Sequence, residues 1–191
     1  MFSERIEFVQ RKFGSVFPQD TEAIFFNPET PSHCLSLSLD KLVAYQTLFP
    51  VVDQLEKAGI KCVQSISQWK FNLAIISIPK SKKLARHLIY LATKAVPKGL
   101  IIVDGDKSNG IESIIRDLKK HTNITNVVSK AHGKTAWFET PADLEMYKDS
   151  PLQIEGGFET QAGVFSSDGV DPASKLLALS LIHISEPTRR S

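Results

Sequence analysis

Phe71-Asn72-Leu73-Ala74-Ile75-Ile76-Ser77-Ile78-Pro79 is the stretch that decides the fold of this chain. From Phe71 to Ile78 it is nearly continuously apolar, the pattern of a strand covered on both faces in a parallel sheet, and Pro79 ends it. Ser81 can cap a helix over Lys82 to Ala95, with Leu84, Leu88, Leu91 and Ala95 on its inner face. Pro97 and Gly99 stop that helix, and Leu100 to Val103 reads as a second central strand.

Towards the N-terminus, Ile24-Phe25-Phe26 is a short apolar run followed by the turn formers Asn27 and Pro28, consistent with a buried strand. Asp40 can cap a helix running through Tyr45 to Lys57, on which Leu48, Val51, Val52 and Leu55 recur at three- and four-residue spacing; Gly59 closes it. Lys61 to Ile66 reads as a strand, and residues 1–20 can add a small helix. Towards the C-terminus, Gly105 to Gly110 is a polar turn. Ile111 to His121 follows as a helix with Ile111, Ile114, Ile115 and Leu118 inward. Val127, Val128 and the segment Thr135 to Phe138 make a closing pair of strands about a turn at Gly133. Strands alternating with helices imply an α/β fold with a parallel or mixed sheet and helices on both faces.

Beyond Thr140 the texture changes. Pro141, Pro151 and Gly156-Gly157 break up a segment with no long periodic element, as a linker leaving a first domain would. A new element starts near Asp171, where Pro172 sits at a helix start and Leu176 and Leu177 are its inward residues.

The chain has 191 residues, enough for one domain with a proper core and something over. Hydrophobic residues make up 42% and charged residues 23%, ordinary for a globular protein, and the net charge of +2 allows an anionic partner without demanding one. Cys34 and Cys62 lack CxxC spacing and read as buried or half-buried thiols in a reducing compartment. The start, Met1 to Arg5, is no secretory signal, and no apolar segment approaches the roughly 18 residues that span a bilayer. A cytoplasmic protein with no membrane partner is the expectation.

The turn Gly105-Asp106-Lys107-Ser108-Asn109-Gly110 joins a strand to a helix, where ligands gather in open parallel sheets. It fails both nucleotide templates: Ile111 and Glu112 stand where a phosphate loop needs Lys and Ser or Thr, and a dinucleotide fingerprint lacks its third glycine. Either it is a tight turn with Asn109 or Ser108 as the helix cap, or it binds a ligand. His33, His87, His121 and His132 are scattered, with no second metal-ligand type at helical spacing, and neither GxSxG nor HExxH occurs. No metal site is expected. Lys80, Lys82, Lys83 and Arg86 cluster at one helix start, with Lys119, Lys120 and Lys130 elsewhere. They form a solvated face or contact an RNA backbone. Trp69 and Trp137 either pack in the core or stack on unpaired bases.

Two stretches together resemble a known family. One is Val103-Asp104-Gly105-Asp106-Lys107-Ser108-Asn109-Gly110-Ile111-Glu112-Ser113 with Ser129-Lys130-Ala131-His132-Gly133-Lys134-Thr135-Ala136-Trp137-Phe138. The other is Ala162-Gly163-Val164-Phe165-Ser166-Ser167-Asp168-Gly169-Val170-Asp171-Pro172-Ala173-Ser174-Lys175-Leu176-Leu177. They resemble the class I S-adenosylmethionine-dependent enzymes of the ribosomal RNA small-subunit methyltransferase C type, within the methyltransferase-small family, over residues 20 to 178.

The resemblance implies a Rossmann-like methyltransferase-type domain at 1–140 that has lost its cofactor site, then a linker and the start of a catalytic domain at 141–178. It implies that Phe165 and Ser166 approach the cofactor and target-base pocket. Asp171 matches an acidic position at the start of the helix before the first catalytic strand. A carboxylate there can equally serve as a helix cap. The glycine-rich strand–turn and the Asn-Pro-Pro motif that would follow in the family are absent. The tail from Leu179 to Ser191 matches nothing in it and reads as a translated sequencing adapter.

The leading expectation is therefore the N-terminal part of a methyltransferase acting on guanine N2 in small-subunit ribosomal RNA. This chain would then bind S-adenosylmethionine weakly or not at all, and its partner would be ribosomal RNA or the small subunit. A standalone RNA-binding or assembly module is the alternative. A nucleotide-binding or oxidoreductase domain using the Gly105 to Gly110 turn is a third.

Overall fold

The alternation of strands and helices is what the chain forms, with one expected helix divided by a strand that its periodicity concealed. A computed structural model describes the chain outside positions 1, 15, 19, 67–69, 142–143, 155–157, 161, 164–170 and 186–191, and without the side chains of 154, 158, 178–179 and 181–185. Two compact units result, Met1–Lys148 and Asp149–Ser191.

In the first unit the elements are α1 (Phe2–Phe13), β1 (Glu22–Phe26), α2 (Pro31–Leu35), β2 (Lys41–Tyr45), α3 (Phe49–Lys57) and β3 (Lys61–Val63). They continue with β4 (Leu73–Ser77), α4 (Lys82–Ala95), β5 (Leu100–Asp106), α5 (Ile111–Leu118), β6 (Asn126–Lys130) and β7 (Gly133–Glu139). Seven strands form one sheet in the order β3-β2-β1-β4-β5-β7-β6. Strands β1 to β5 pair in parallel, and β7 runs antiparallel to both of its neighbours, β5 and β6.

Side-chain alternation along the central strands builds two cores at once. Ile24 and Phe26 of β1, Ala74 and Ile76 of β4, and Ile101 and Val103 of β5 face α4 and α5. Ala23 and Phe25, Leu73 and Ile75, and Ile102 face the other way, where Phe2, Ile6 and Val9 of α1 and Leu55 of α3 cover them. Every residue of β4 is buried, which is why its sequence is an unbroken apolar run. At about 1.5–3 kcal/mol for each fully buried large apolar side chain, these two layers dominate the stability of the unit.

Several expectations change in detail. The helix expected from Asp40 to Lys57 is β2 followed by α3. Leu42-Val43-Ala44-Tyr45 pairs between β1 and β3, and the helix starts only at Phe49, with Leu48 at its N-cap and exposed. Its end is as read: Gly59 takes φ 80°, and the Ile60 amide donates back to the Leu55 carbonyl at 3.0 Å.

Ser81 caps α4, accepting from the Leu84 amide at 3.3 Å. The inner face of α4 is nonetheless rotated from the one expected. Ala85, Leu88, Ile89, Ala92 and Ala95 are buried, while Leu84 and Leu91 are only partly so. The turn between β6 and β7 is Ala131-His132, both in the left-handed region at φ 48° and 56°, and Gly133 already lies in β7. Ile111, Ile114, Ile115 and Leu118 do line the buried face of α5.

The second unit contains the hairpin β8 (Leu152–Ile154) and β9 (Phe158–Thr160), and the helix α6 (Pro172–Ser185). Pro172 opens α6 as expected. Leu176 and Leu177, expected to face inward, are 69% and 61% exposed, with no packed surface of this chain over them.

Candidate functional site

In an open parallel sheet the place for a ligand is the crevice beyond the carboxyl ends of the strands, where the strand order reverses. Here that place lies past β1 and β4, with β5 alongside. A glycine-rich turn after the first strand normally lets the backbone approach a cofactor. In this chain β1 runs instead into Asn27-Pro28-Glu29-Thr30. Asn27 sits at φ 59°, its amide donates to the Tyr45 carbonyl at 2.9 Å, and its Nδ2 donates to the Ser77 carbonyl at 3.0 Å. The turn is thus tied to the ends of both neighbouring strands.

Arg5 from α1 reaches into this end of the sheet on the β5 side. Its Nε and Nη2 donate to the two carboxylate oxygens of Asp104 at 2.7 Å each, and Nη1 donates to Asp106 at 2.8 Å and to the Ala131 carbonyl at 3.2 Å. The side chains of Arg5 and Asp104 are 3% and 1% exposed. Thr135 adds a hydroxyl donated to Asp104 at 2.5 Å. Burial raises the Asp104 carboxyl above its usual range, opposed by the Arg5 fork and the Thr135 hydroxyl.

Beside this group a cavity of about 130 Å³ remains, bounded by Phe2, Glu29, His33, Ser77 and Asn109. Cofactor pockets need roughly 300–1,000 Å³, so a methyl donor does not fit. His33 stands there with a buried Nδ1 that has no hydrogen-bond partner among the described residues, and its ring packs on the Phe2 ring at 4.9 Å. Burial holds its pKa below the ordinary value, against the pull of Glu29 and Asp104.

Gly105 of the expected ligand turn and Gly133 of β7 each permit a close approach. Gly105 lies within β5, and a Cβ on it would stand 3.0 Å from the Ile78 Cβ. A Cβ on Gly133 would run into the Arg5 guanidinium and the Gly105 carbonyl. Gly110, at φ 79°, is itself the N-cap of α5, so neither Asn109 nor Ser108 caps that helix. Asn109 instead donates its Nδ2 to the Ile78 carbonyl at 3.2 Å. The nucleotide reading of the turn therefore has no cradle here.

Residues 20–141 match the family described as methyltransferase small domain N-terminal. The chain belongs to that family. Among solved structures it is similar to the 16S rRNA N2 G1207 methyltransferase of T. Thermophilus, determined with AdoMet and guanosine. That likeness has 19% identity and a TM-score of 0.69, over 95% of this chain and 52% of that one. It is also similar to the ribosomal protein L11 methylase of Lactobacillus delbrueckii subsp. bulgaricus (12% identity, TM-score 0.54, 73% of this chain and 77% of that one). A methyltransferase from Pyrococcus furiosus has 12% identity and a TM-score of 0.53, over 73% of this chain and 83% of that one. These likenesses establish the Rossmann-like methyltransferase fold, and the chain spans about half the length of the first. Among curated proteins none matches it in sequence.

Within this member of the family the site residues expected from resemblance fare differently. Phe165 and Ser166 lie outside the described residues, as does Trp69. Asp171 is a helix cap: its carboxylate accepts from the Ser174 amide at 3.0 Å and hydroxyl at 3.3 Å, so that oxygen is engaged locally. Trp137 is 5% exposed and packs in the core. Cys34 is buried and Cys62 half-buried, both free, and burial pushes the Cys34 thiol up to about 12. The described residues contain no cluster of side chains that could hold a metal ion. No helix among them is long and apolar enough to cross a membrane.

Arg86, expected in a basic cluster, is committed to a second polar group. Its Nε and Nη2 donate to Asp117 at 2.9 and 2.6 Å, and the Tyr147 hydroxyl donates to the same oxygen at 3.0 Å. Tyr147 and Leu144 are buried in the first unit beyond the point where the sequence texture changes. Burial alone would raise Asp117, but the bonds from Arg86 and Tyr147 outweigh it and hold the carboxyl below its usual range. Burial, and then donation to Asp117, raises Tyr147.

Sequence reading missed the role of Arg5, although a signal exists. Arg5 lies on the stripe Phe2, Ile6, Val9 that α1 buries, and a charge on such a stripe needs a buried partner.

Proposed function

We propose that this chain is the N-terminal part of an S-adenosylmethionine-dependent methyltransferase acting on guanine N2 in small-subunit ribosomal RNA, in the cytoplasm. In this reading residues 1–140 are a degenerate methyltransferase domain that supports folding and RNA engagement. Residues 141–178 are the linker and the opening of the catalytic domain, with Phe165, Ser166 and Asp171 near its cofactor, and residues from 179 are adapter-derived. One observation supports it: the methyltransferase sheet is intact, yet the Arg5–Asp104–Asp106 group lines the crevice beyond its strands and leaves a cavity of only about 130 Å³. A domain that keeps the fold and narrows the cofactor place serves something other than the methyl donor. No described residue is assigned to methyl transfer.

The test is methyl transfer from tritiated S-adenosylmethionine to small ribosomal subunits by protein made from the intact gene. Label recovered in N2-methylguanine is the expected result, and folded protein giving no label contradicts it. A long sequencing read across the codons for Leu177 to Ser191 separates this from the second reading, a standalone RNA-binding module, which also accommodates the narrowed crevice. Continuation into a glycine-rich turn and an Asn-Pro-Pro motif supports the enzyme. A confirmed stop after Ser191 supports the module.

A further inference from the structure

The end of α1 and the edge strand β6 form a face whose chemistry the fold does not use. The last six residues of α1, Phe8 to Phe13, carry Arg11 and Lys12 and no acid, and β6 carries Lys130 and no acid. Lys130 Nζ stands 4.6 Å from the Phe8 ring centroid, and Lys12 Nζ stands 5.9 Å from Phe8 and 5.2 Å from Phe13. Neither ammonium pairs with a carboxylate among the described residues. Each is parked over an aromatic face, the arrangement a cation adopts without an anionic partner.

Phe13 is 39% exposed and its ring meets Trp137 edge-on at 5.3 Å and 77°, so the ring is held in place while part of it stays exposed. Among the described residues strand β6 pairs with β7 alone and lies at the edge of the sheet, where an outer backbone edge can take polar contacts.

A fixed, part-exposed ring at Phe13 beside ammonium groups that pair with no described carboxylate fits a strand with stackable bases and a phosphate backbone. We propose that this face of the first unit binds single-stranded RNA, with Phe13 as the stacking platform and Arg11, Lys12 and Lys130 on the phosphates. The inference rests on the RNA-directed reading above and names the surface for it. A duplex is a poorer fit, because its bases are already stacked and paired.

The test is fluorescence anisotropy of the whole chain with a labelled oligouridylate of about twelve nucleotides, within the span such sites cover. Lys12→Gln with Lys130→Gln should weaken binding about tenfold at 0.1 M salt and flatten the log–log salt slope by about 1.4, two single-strand phosphates' worth. Phe13→Ala should weaken binding about tenfold with the salt slope unchanged. Lys57→Gln with Lys61→Gln, at the opposite edge of the sheet, should leave affinity within about twofold, as a charge change remote from the contact does.

Thermal midpoints of all variants confirm that they fold. The proposal is overturned if the Lys12/Lys130 variant binds like the parent, if an RNA duplex binds as tightly as the single strand, or if polyglutamate displaces the oligonucleotide at equal charge. Loss of this binding site with methyl transfer intact removes the surface and leaves the enzyme reading. Binding here without methyl transfer does the reverse.

Discussion

The first unit contains two arginine–carboxylate groups of nearly the same chemistry in opposite surroundings. Arg5 and Asp104 are sealed at the carboxyl edge of the sheet, 3% and 1% exposed, and every donor of the fork that bonds there has an internal acceptor. Arg86 and Asp117 are 38% and 12% exposed and share their carboxylate with Tyr147. The difference is one of consequence rather than of bond length. A sealed pair roughly breaks even against an apolar filling, but leaves an uncompensated charge when one partner is lost. A pair whose arginine is part-exposed, and whose carboxylate keeps the Tyr147 hydroxyl when that arginine is lost, leaves less uncompensated charge. The sealed group therefore locks the carboxyl end of the sheet to α1, and the other ties Tyr147 to α4 and α5.

The largest effect should come from Arg5→Ala, which strands the Asp104 carboxylate and should cost about 3–5 kcal/mol of unfolding free energy. Denaturant titration followed by circular dichroism reads it. Arg5→Met combined with Asp104→Leu should recover most of that loss, because the one carboxylate left without its arginine, Asp106, is 30% exposed and reaches water. If the double variant is as unstable as Arg5→Ala, the loss is one of packing and the contrast with Arg86 collapses.

Tyr147→Phe should cost about 1 kcal/mol, one hydrogen bond to a carboxylate that keeps its other donors. It should also speed proteolytic cutting between 141 and 150 before the sheet unfolds. Uniform cutting along the chain would contradict the fastening role.

The Asp117 group also predicts a pH dependence. Its folded carboxyl lies below the ordinary 3.8, so its contribution is present above that pH and is lost as pH falls through the folded value. The stability gap between parent and Asp117→Asn should be constant from neutral pH to about pH 5 and close below the ordinary carboxylate range. A gap that instead widens as pH falls would mean that the group is not ionised in the folded chain. Smallest of all, Lys41→Met should leave the thermal midpoint unmoved, because the Lys41–Glu22 bridge is 67% and 52% exposed.

The fold was legible in the sequence wherever burial was two-sided, as in β4 and β5, and wherever caps were chemical, as at Ser81, Gly59 and Pro172. It was illegible where two apolar segments abutted without a breaker. Leu42 to Tyr45 and Phe49 to Leu55 merge into one helical period until pairing with β1 and β3 claims the first. Gly105 and Gly133 could be seen as glycines, but not their reason, since the close approaches they permit are to Ile78 and to the Arg5 guanidinium, both distant in the chain. The commitment of Arg86 was hidden for the same cause: its partners come from α5 and from beyond Thr140. Long-range polar pairing leaves no local period to read.

The claim that this crevice is too narrow for the cofactor is tested most directly by calorimetric titration of the whole chain with S-adenosylmethionine. No saturable heat up to about 1 mM is predicted, corresponding to binding weaker than about −4 kcal/mol. A saturable isotherm with a Kd near 1 μM, about −8 kcal/mol, would mean that the chain holds the methyl donor after all and that the narrowed crevice does not exclude it.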